Sequence, residues 1–217
     1  MTKTVQTRVA CQACQALLDY TIYPEINLAT DPQLKTKILD QSLFQLTCSQ
    51  CGDTHTYQYD FSLQDPSNNY HLLTCYEPQA LPIVADQVSA AVAQAKDQGK
   101  SLPRMRVVGH PIQVREKITL FDLGLDDWIL EIYKYKLLEA YAQEKGVALD
   151  LDRHQAHLLL AGPDQAMFYF YQDETLDKQT PFNQATYEDL ASNYPVTDRP
   201  SHTLVDSKLA QSLVKGG

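Results

Sequence analysis

Cys11-Gln12-Ala13-Cys14 and Cys48-Ser49-Gln50-Cys51 are two CxxC pairs separated by 33 residues, and their reading decides the fold of the N-terminal part of this chain. Each pair can wrap a tight turn that aims both sulfurs at one cation, and two such turns complete a tetrahedron. Four thiolates fill the shell of a zinc ion and leave no position for water or substrate, so the site would be structural rather than catalytic. Cys11, Cys14, Cys48 and Cys51 are therefore the candidate ligands of one structural zinc. Gly52, directly after Cys51, supports this, because glycine takes positive φ readily and lets backbone amides approach the sulfurs. Iron in a rubredoxin-like site would use the same four ligands, and spacing does not separate the two metals.

Two structural thiol pairs or disulfides form a second reading, disfavoured in a reducing compartment. A dithiol redox motif is a third, and it needs a CxxC at a helix start with a lowered thiol pKa. His55 and His71 could replace a cysteine at the metal, but with four thiolates at hand they read as ordinary polar residues. Cys75, alone in an extended run, reads as a small buried hydrophobe.

The stretch between the pairs exceeds the usual ribbon length of about 15 to 20 residues. A short helix over Pro32 to Leu39 accounts for the excess: Asp31 can cap its amides, Pro32 suits the first turn, and Leu34 and Ile38 share one face. After the second pair Tyr57, Tyr59 and Phe61 alternate with polar residues, the period of a half-buried strand. Asp65-Pro66-Ser67-Asn68-Asn69 marks a turn into the extended run Tyr70 to Cys75. A helix stripe then runs from Gln87 to Gln98 and stops at Gly99, followed by a short strand over Arg104 to Val108.

Pro111 opens a further helix with Val114, Ile118 and Phe121 on one side, interrupted by Gly124. Asp126 and Asp127 start the clearest helix, whose Ile129, Ile132, Tyr133, Leu137 and Tyr141 form a stripe that ends near Gly146. Gln155 to Ala161 and Met167 to Gln172 flank Gly162-Pro163-Asp164-Gln165 as a hairpin, and a short helix closes the chain around Val205 to Val214. The expectation is an α+β protein with two regions: a zinc-ribbon-like module of short strands and an inserted helix over 1–82, then helices and a C-terminal β-hairpin over 83–217.

The carboxylates Glu116, Asp122, Asp126, Asp127 and Glu131 are the other constellation that could carry chemistry, as general acids or cation ligands. The simpler reading makes Asp126 and Asp127 helix caps, pairs Glu131 with Lys134 one turn on, and leaves Glu116 on a solvated face. No phosphate-cradling loop, nucleophile elbow, dinucleotide fingerprint or HExxH occurs, which favours a binding or scaffold protein over an enzyme. Tyr57 to Phe61 and Met167 to Tyr171 are candidate surfaces for a protein partner, with burial in the core as the plainer alternative.

At 217 residues and 44% hydrophobic content the chain can build a sizeable core. Its net charge of −9 argues against a general nucleic-acid binder, which needs Lys and Arg to displace phosphate counterions. No apolar run approaches the roughly 20 residues of a membrane span. Met1 to Ala10 lacks the apolar centre of a secretion signal, so a cytoplasmic setting is expected.

The sequence resembles the CpXC domain family of bacterial proteins. The resemblance lies in the paired cysteines, in Ile26-Asn27 to Asp31-Pro32-Gln33-Leu34-Lys35, in Leu43-Phe44 before Cys48, and in Cys51-Gly52. A second block, Arg115 to Phe121 followed by Gly124-Leu125-Asp126-Asp127 and Glu131, is similar to the helical part of longer members. The family name implies proline after the first cysteine of a pair, where this chain has Gln12 and Ser49. The resemblance implies zinc binding and no established reaction.

Overall fold

A computed structural model of the chain describes residues 1–162, 165–194 and 201–216. These hold six α-helices and ten strands, an α+β composition, in two compact units, Met1–His110 and Pro111–Gly217.

The first unit is built on a five-stranded sheet. Its strands are β1 (Lys3–Ala10), β2 (Leu17–Asn27), β5 (Ser62–Asp65), β6 (Tyr70–Thr74) and β7 (Arg104–Val108), side by side in that order. β1/β2 and β5/β6 pair antiparallel, whereas β2/β5 and β6/β7 pair parallel. The strands β3 (Gln45–Thr47) and β4 (Thr54–Thr56) form a separate antiparallel hairpin. Helix α1 (Gln33–Leu39) buries Leu34 and Ile38 as their spacing predicts. Asp31 does not cap it; its carboxylate instead accepts from Thr30 and Gln33.

The alternating Tyr57 to Phe61 segment carries no strand, because its backbone bonds go elsewhere: Tyr57 N donates to Phe44 O, and Phe61 N to the Thr74 hydroxyl. Its rings still pack, with Phe44 5.6 Å from both Tyr59 and Phe61. The expected turn after Asp65 is present. The Asp65 carboxylate accepts from the Ser67 and Asn68 amides and from Lys35, and the β5–β6 hairpin follows from it. Helix α2 (Leu81–Asp97) begins six residues before the predicted stripe. It runs across the expected boundary at Pro82, and with β7 it falls within the first unit.

The second unit sets α3 (Pro111–Asp122) and α4 (Asp127–Lys145) against an antiparallel sheet of β8 (His154–Gly162), β9 (Gln165–Gln172) and β10 (Thr175–Pro181). The expected hairpin is present as β8 and β9, and β10 extends it to a three-stranded sheet. β10 was not legible because Thr175 to Pro181 is polar and largely exposed, so it carries no apolar alternation. Of the predicted hairpin loop, Pro163 and Asp164 lie outside the described residues. Alternate residues Phe168 and Phe170 of β9 face Tyr133 and Tyr141 of α4 at 4.9 and 5.5 Å between ring centres. α4 is capped as predicted: Asp126 accepts from the Trp128 and Ile129 amides, and Gly146 closes it at φ 67°. Two further helices, α5 (Gln184–Asn193) and α6 (Ser207–Lys215), complete the unit.

Leu72, fully buried in β6 between β5 and β7, anchors the first sheet. Leu72→Ala should lower the unfolding free energy of the first unit by roughly 2–5 kcal/mol. Native-state hydrogen exchange should show the lost protection across β5, β6 and β7.

Candidate metal centre

Both CxxC pairs sit at the tips of antiparallel hairpins, and the two tips are built alike. β1 and β2 close at Ala10↔Leu17, and β3 and β4 at Thr47↔Thr54, so each loop runs over the same number of residues, 11–16 and 48–53. In the first, Cys11 N donates to Ala16 O (2.8 Å) and Gln15 N to Cys11 O (3.0 Å). In the second, Cys48 N donates to Asp53 O (2.8 Å) and Gly52 N to Cys48 O (2.9 Å). Each turn needs positive φ at the residue after the second cysteine. Gly52 supplies it at 81° without cost, and Gln15 supplies it at 62°. Only the glycine was a visible signal; Gln15 is betrayed solely by occupying the equivalent place.

The four sulfurs converge within 4.8 Å of one another, with Cys11 Sγ 3.7 Å from Cys51 Sγ and Cys14 Sγ 3.6 Å from Cys48 Sγ. A regular tetrahedron of thiolates about 2.3 Å from a central zinc has edges of about 3.8 Å. The arrangement therefore fits one metal ion. All five cysteines are free thiols, which sets the disulfide reading aside for this structure. The first cysteine of each pair is buried and the second exposed. Cys11 and Cys48 pack with Leu18, flanked by Val9, Ala16 and Leu46, so a small apolar cluster backs the site.

The electrostatics of the cluster also fit a cation. The amides of Cys51 and Gln50 pull the Cys48 thiol down to about 6. The Asp53 amide would lower Cys51 too, but desolvation and the three neighbouring sulfurs push it up to about 12. Cys14 is raised as well: its bond from the Ala16 backbone is outweighed by desolvation and by Cys11 and Cys48. The Cys48 thiolate forms easily, while Cys14 and Cys51 are held back by the neighbouring sulfurs, so ionising them together calls for a positive charge at the centre.

His55 Nε2 lies 3.3 Å from Cys11 Sγ. The four-residue ligand group does not include it. His71 stands on β6 away from the sulfurs, with burial pulling its pKa down. Cys75 is buried as expected, its thiol toward Glu77 O at 3.9 Å.

The carboxylates of the second unit form a different constellation. Glu116 is 1% exposed rather than on a solvated face. Its Oε1 accepts the Leu158 amide of edge strand β8 at 2.7 Å, and its Oε2 meets Lys134 at 2.9 Å and His157 at 3.5 Å. Glu131 accepts from Lys134 (2.9 Å), as expected, and also from Lys117 (3.4 Å) and Ser207 (3.0 Å). Lys117 bonds Asp127 and Val205 O as well. Helical spacing hid this network, because α3 turns Glu116 and Lys117 toward β8 and α4 instead of toward water. Asp126 is the α4 cap, and Asp122 is exposed at the end of α3. Glu131, Lys134, His154 and His157 line a cavity of about 200 Å³.

Burial alone would raise Glu116, but the charges of Lys134, His157 and Lys117 hold it well below the usual glutamate range. Burial would lower Lys134, and Glu116 with Glu131 raises it above the ordinary lysine range.

Of the candidate partner surfaces, Phe61, Phe168 and Phe170 are buried, and Tyr57, Tyr59, Met167, Tyr169 and Tyr171 are half-buried. No helix among the described residues is long and apolar enough to cross a membrane. A family model, described as CpXC protein, matches residues 9–134, which takes in both cysteine hairpins and the charged residues of α3 and α4. No curated protein and no solved structure matches the chain.

Glu116→Gln should cost the second unit roughly 3–5 kcal/mol in chemical unfolding, because it strips one partner from a buried pair. The depressed Glu116 stabilises the fold fully above about pH 4.3 and progressively less as pH falls below it. The raised Lys134 contributes below about pH 10.4, a contribution lost as pH rises through its folded value. Unfolding of the second unit followed against pH should therefore show a plateau between these limits, with acid loss weakened in Glu116→Gln. Gln15→Gly should stabilise the first hairpin tip by about 1 kcal/mol by removing left-handed strain, read as a higher melting temperature.

Proposed function

We propose, for a chain that belongs to the CpXC family, that Cys11, Cys14, Cys48 and Cys51 hold one structural zinc ion and that the protein acts as a binding or scaffold module. The observation that carries this reading is the convergence of four sulfurs from two matched hairpin tips at tetrahedral spacing. Zinc bound there would join the β1–β2 hairpin to the β3–β4 hairpin, two pieces of backbone that share no ladder. Its role would be to supply folding free energy rather than a reactive position, since four thiolates complete the shell. Four free thiols of this kind also suit a reducing setting such as the bacterial cytoplasm. The module is zinc-ribbon-like in the sense that both ligand pairs sit at hairpin turns.

Untagged protein purified without added metal should contain one zinc per chain, with four thiols becoming reactive only on chelation. One iron per chain would replace the metal, and no metal with oxidisable thiols would replace the whole reading by redox chemistry. Cys14→Ser or Cys48→Ser should unfold the first unit, because the ion supplies on the order of 10 kcal/mol of its folding free energy. Retained zinc with unchanged melting in either variant would overturn the ligand set.

A further inference from the structure

The two hairpin tips match in backbone but differ at their buried sulfurs. Cys48 Sγ accepts the amide of Gln50 at 3.4 Å. Among the described residues no amide reaches Cys11 Sγ, its counterpart in the first tip; there the nearest donor is the ring of His55 at 3.3 Å. Resting on the zinc reading above, we propose that His55 is a positioning residue of the metal centre, its Nε2–H donating to the Cys11 thiolate in place of the missing amide.

A thiolate can only accept, so the hydrogen must lie on Nε2. The geometry holds the ring in place from both sides. On β4, His55 is directly opposite Leu46 of β3, and Leu46 packs on the Cys11–Cys48 cluster, so both side chains leave the hairpin on the face toward the sulfurs. Tyr57 meets the His55 ring edge-on, 6.5 Å between centres at 76°, while its hydroxyl donates to Ala10 O at 2.9 Å, one residue before Cys11. The segment that leads into Cys11 and the segment that follows His55 are thus tied next to the N–H···S contact. Four thiolates around a divalent ion carry a net charge of −2, and each donated hydrogen lowers the electron density on the sulfur it reaches.

The test uses the full-length chain loaded with Co²⁺, titrated against a chelator and followed by the thiolate-to-cobalt charge-transfer absorption. His55→Ala should weaken Co²⁺ binding ~10-fold to 100-fold, the range for removing a group that orients a ligand. The charge-transfer band should move to longer wavelength, since an unbonded thiolate gives up its electron more easily. His55→Gln, which keeps an N–H near the same place, should restore both most of the affinity and the band position. Affinity and band unchanged in His55→Ala would overturn the proposal, as would a wild-type spectrum of three thiolates and one imidazole, which would make His55 a ligand. Wild-type protein that takes up no Co²⁺ at all would instead remove the metal reading itself, a result distinct from either.

Discussion

Four sulfurs held within 4.8 Å of one another are the constraint around which the two hairpin tips of the N-terminal unit are built. Thiols that close resist ionising together, so the cluster is a liability unless a cation gathers it, and an asset once one does. The backbone accepts one strained residue, Gln15, to make it. Two hairpins end in turns of one design, each with a left-handed residue after its second cysteine, and one of those residues is a glutamine. Proline is absent from both turns, so it is the hydrogen bonds at Cys11 and Cys48 that shape them. The small apolar group of Val9, Ala16, Leu18 and Leu46 is too slight to fix two hairpin tips unaided.

The second unit settles an analogous problem by the opposite means. It buries three carboxylates, Glu116, Asp127 and Glu131, against two ammonium groups, Lys117 and Lys134, with His157 alongside. Desolvating that many charges is expensive, and replacement by apolar residues of similar size would cost little in stability. What such a network does supply is direction. Glu116 takes the Leu158 amide at the open edge of β8, a backbone donor that would otherwise lack a strand partner, and Lys117 reaches the carbonyl of Val205 ahead of α6. Helix, sheet edge and C-terminal segment are thereby held in one arrangement. Of the carboxylates that might have suggested catalysis, Glu116, Asp126, Asp127 and Glu131 each have an N–H or ammonium at hydrogen-bonding distance.

The elements with a strong local cause were legible residue by residue. The α4 cap at Asp126, its end at Gly146, the Leu34/Ile38 face of α1 and the turn at Asp65 all follow from side chains acting within a few positions of themselves. The misreadings share a cause as well. Tyr57 to Phe61 has the alternation of a strand, but alternation reports burial and says nothing of whether a neighbouring strand exists to complete the ladder. β10 pairs without an apolar face, and α5 hides in a polar stretch, so neither leaves a periodic trace.

The candidate metal centre divides along the same line. Residue types and spacing were enough to single out the four cysteines that the fold gathers and to make Gly52 informative, because ligand chemistry and left-handed backbone geometry are local demands. That His55 stands against Cys11, that Gln15 takes the part of a second glycine, and that Glu116 lies buried under β8 were matters for the folded chain alone. Each depends on segments distant in sequence arriving at one point, and no side chain carries in its own identity a record of what will be packed against it.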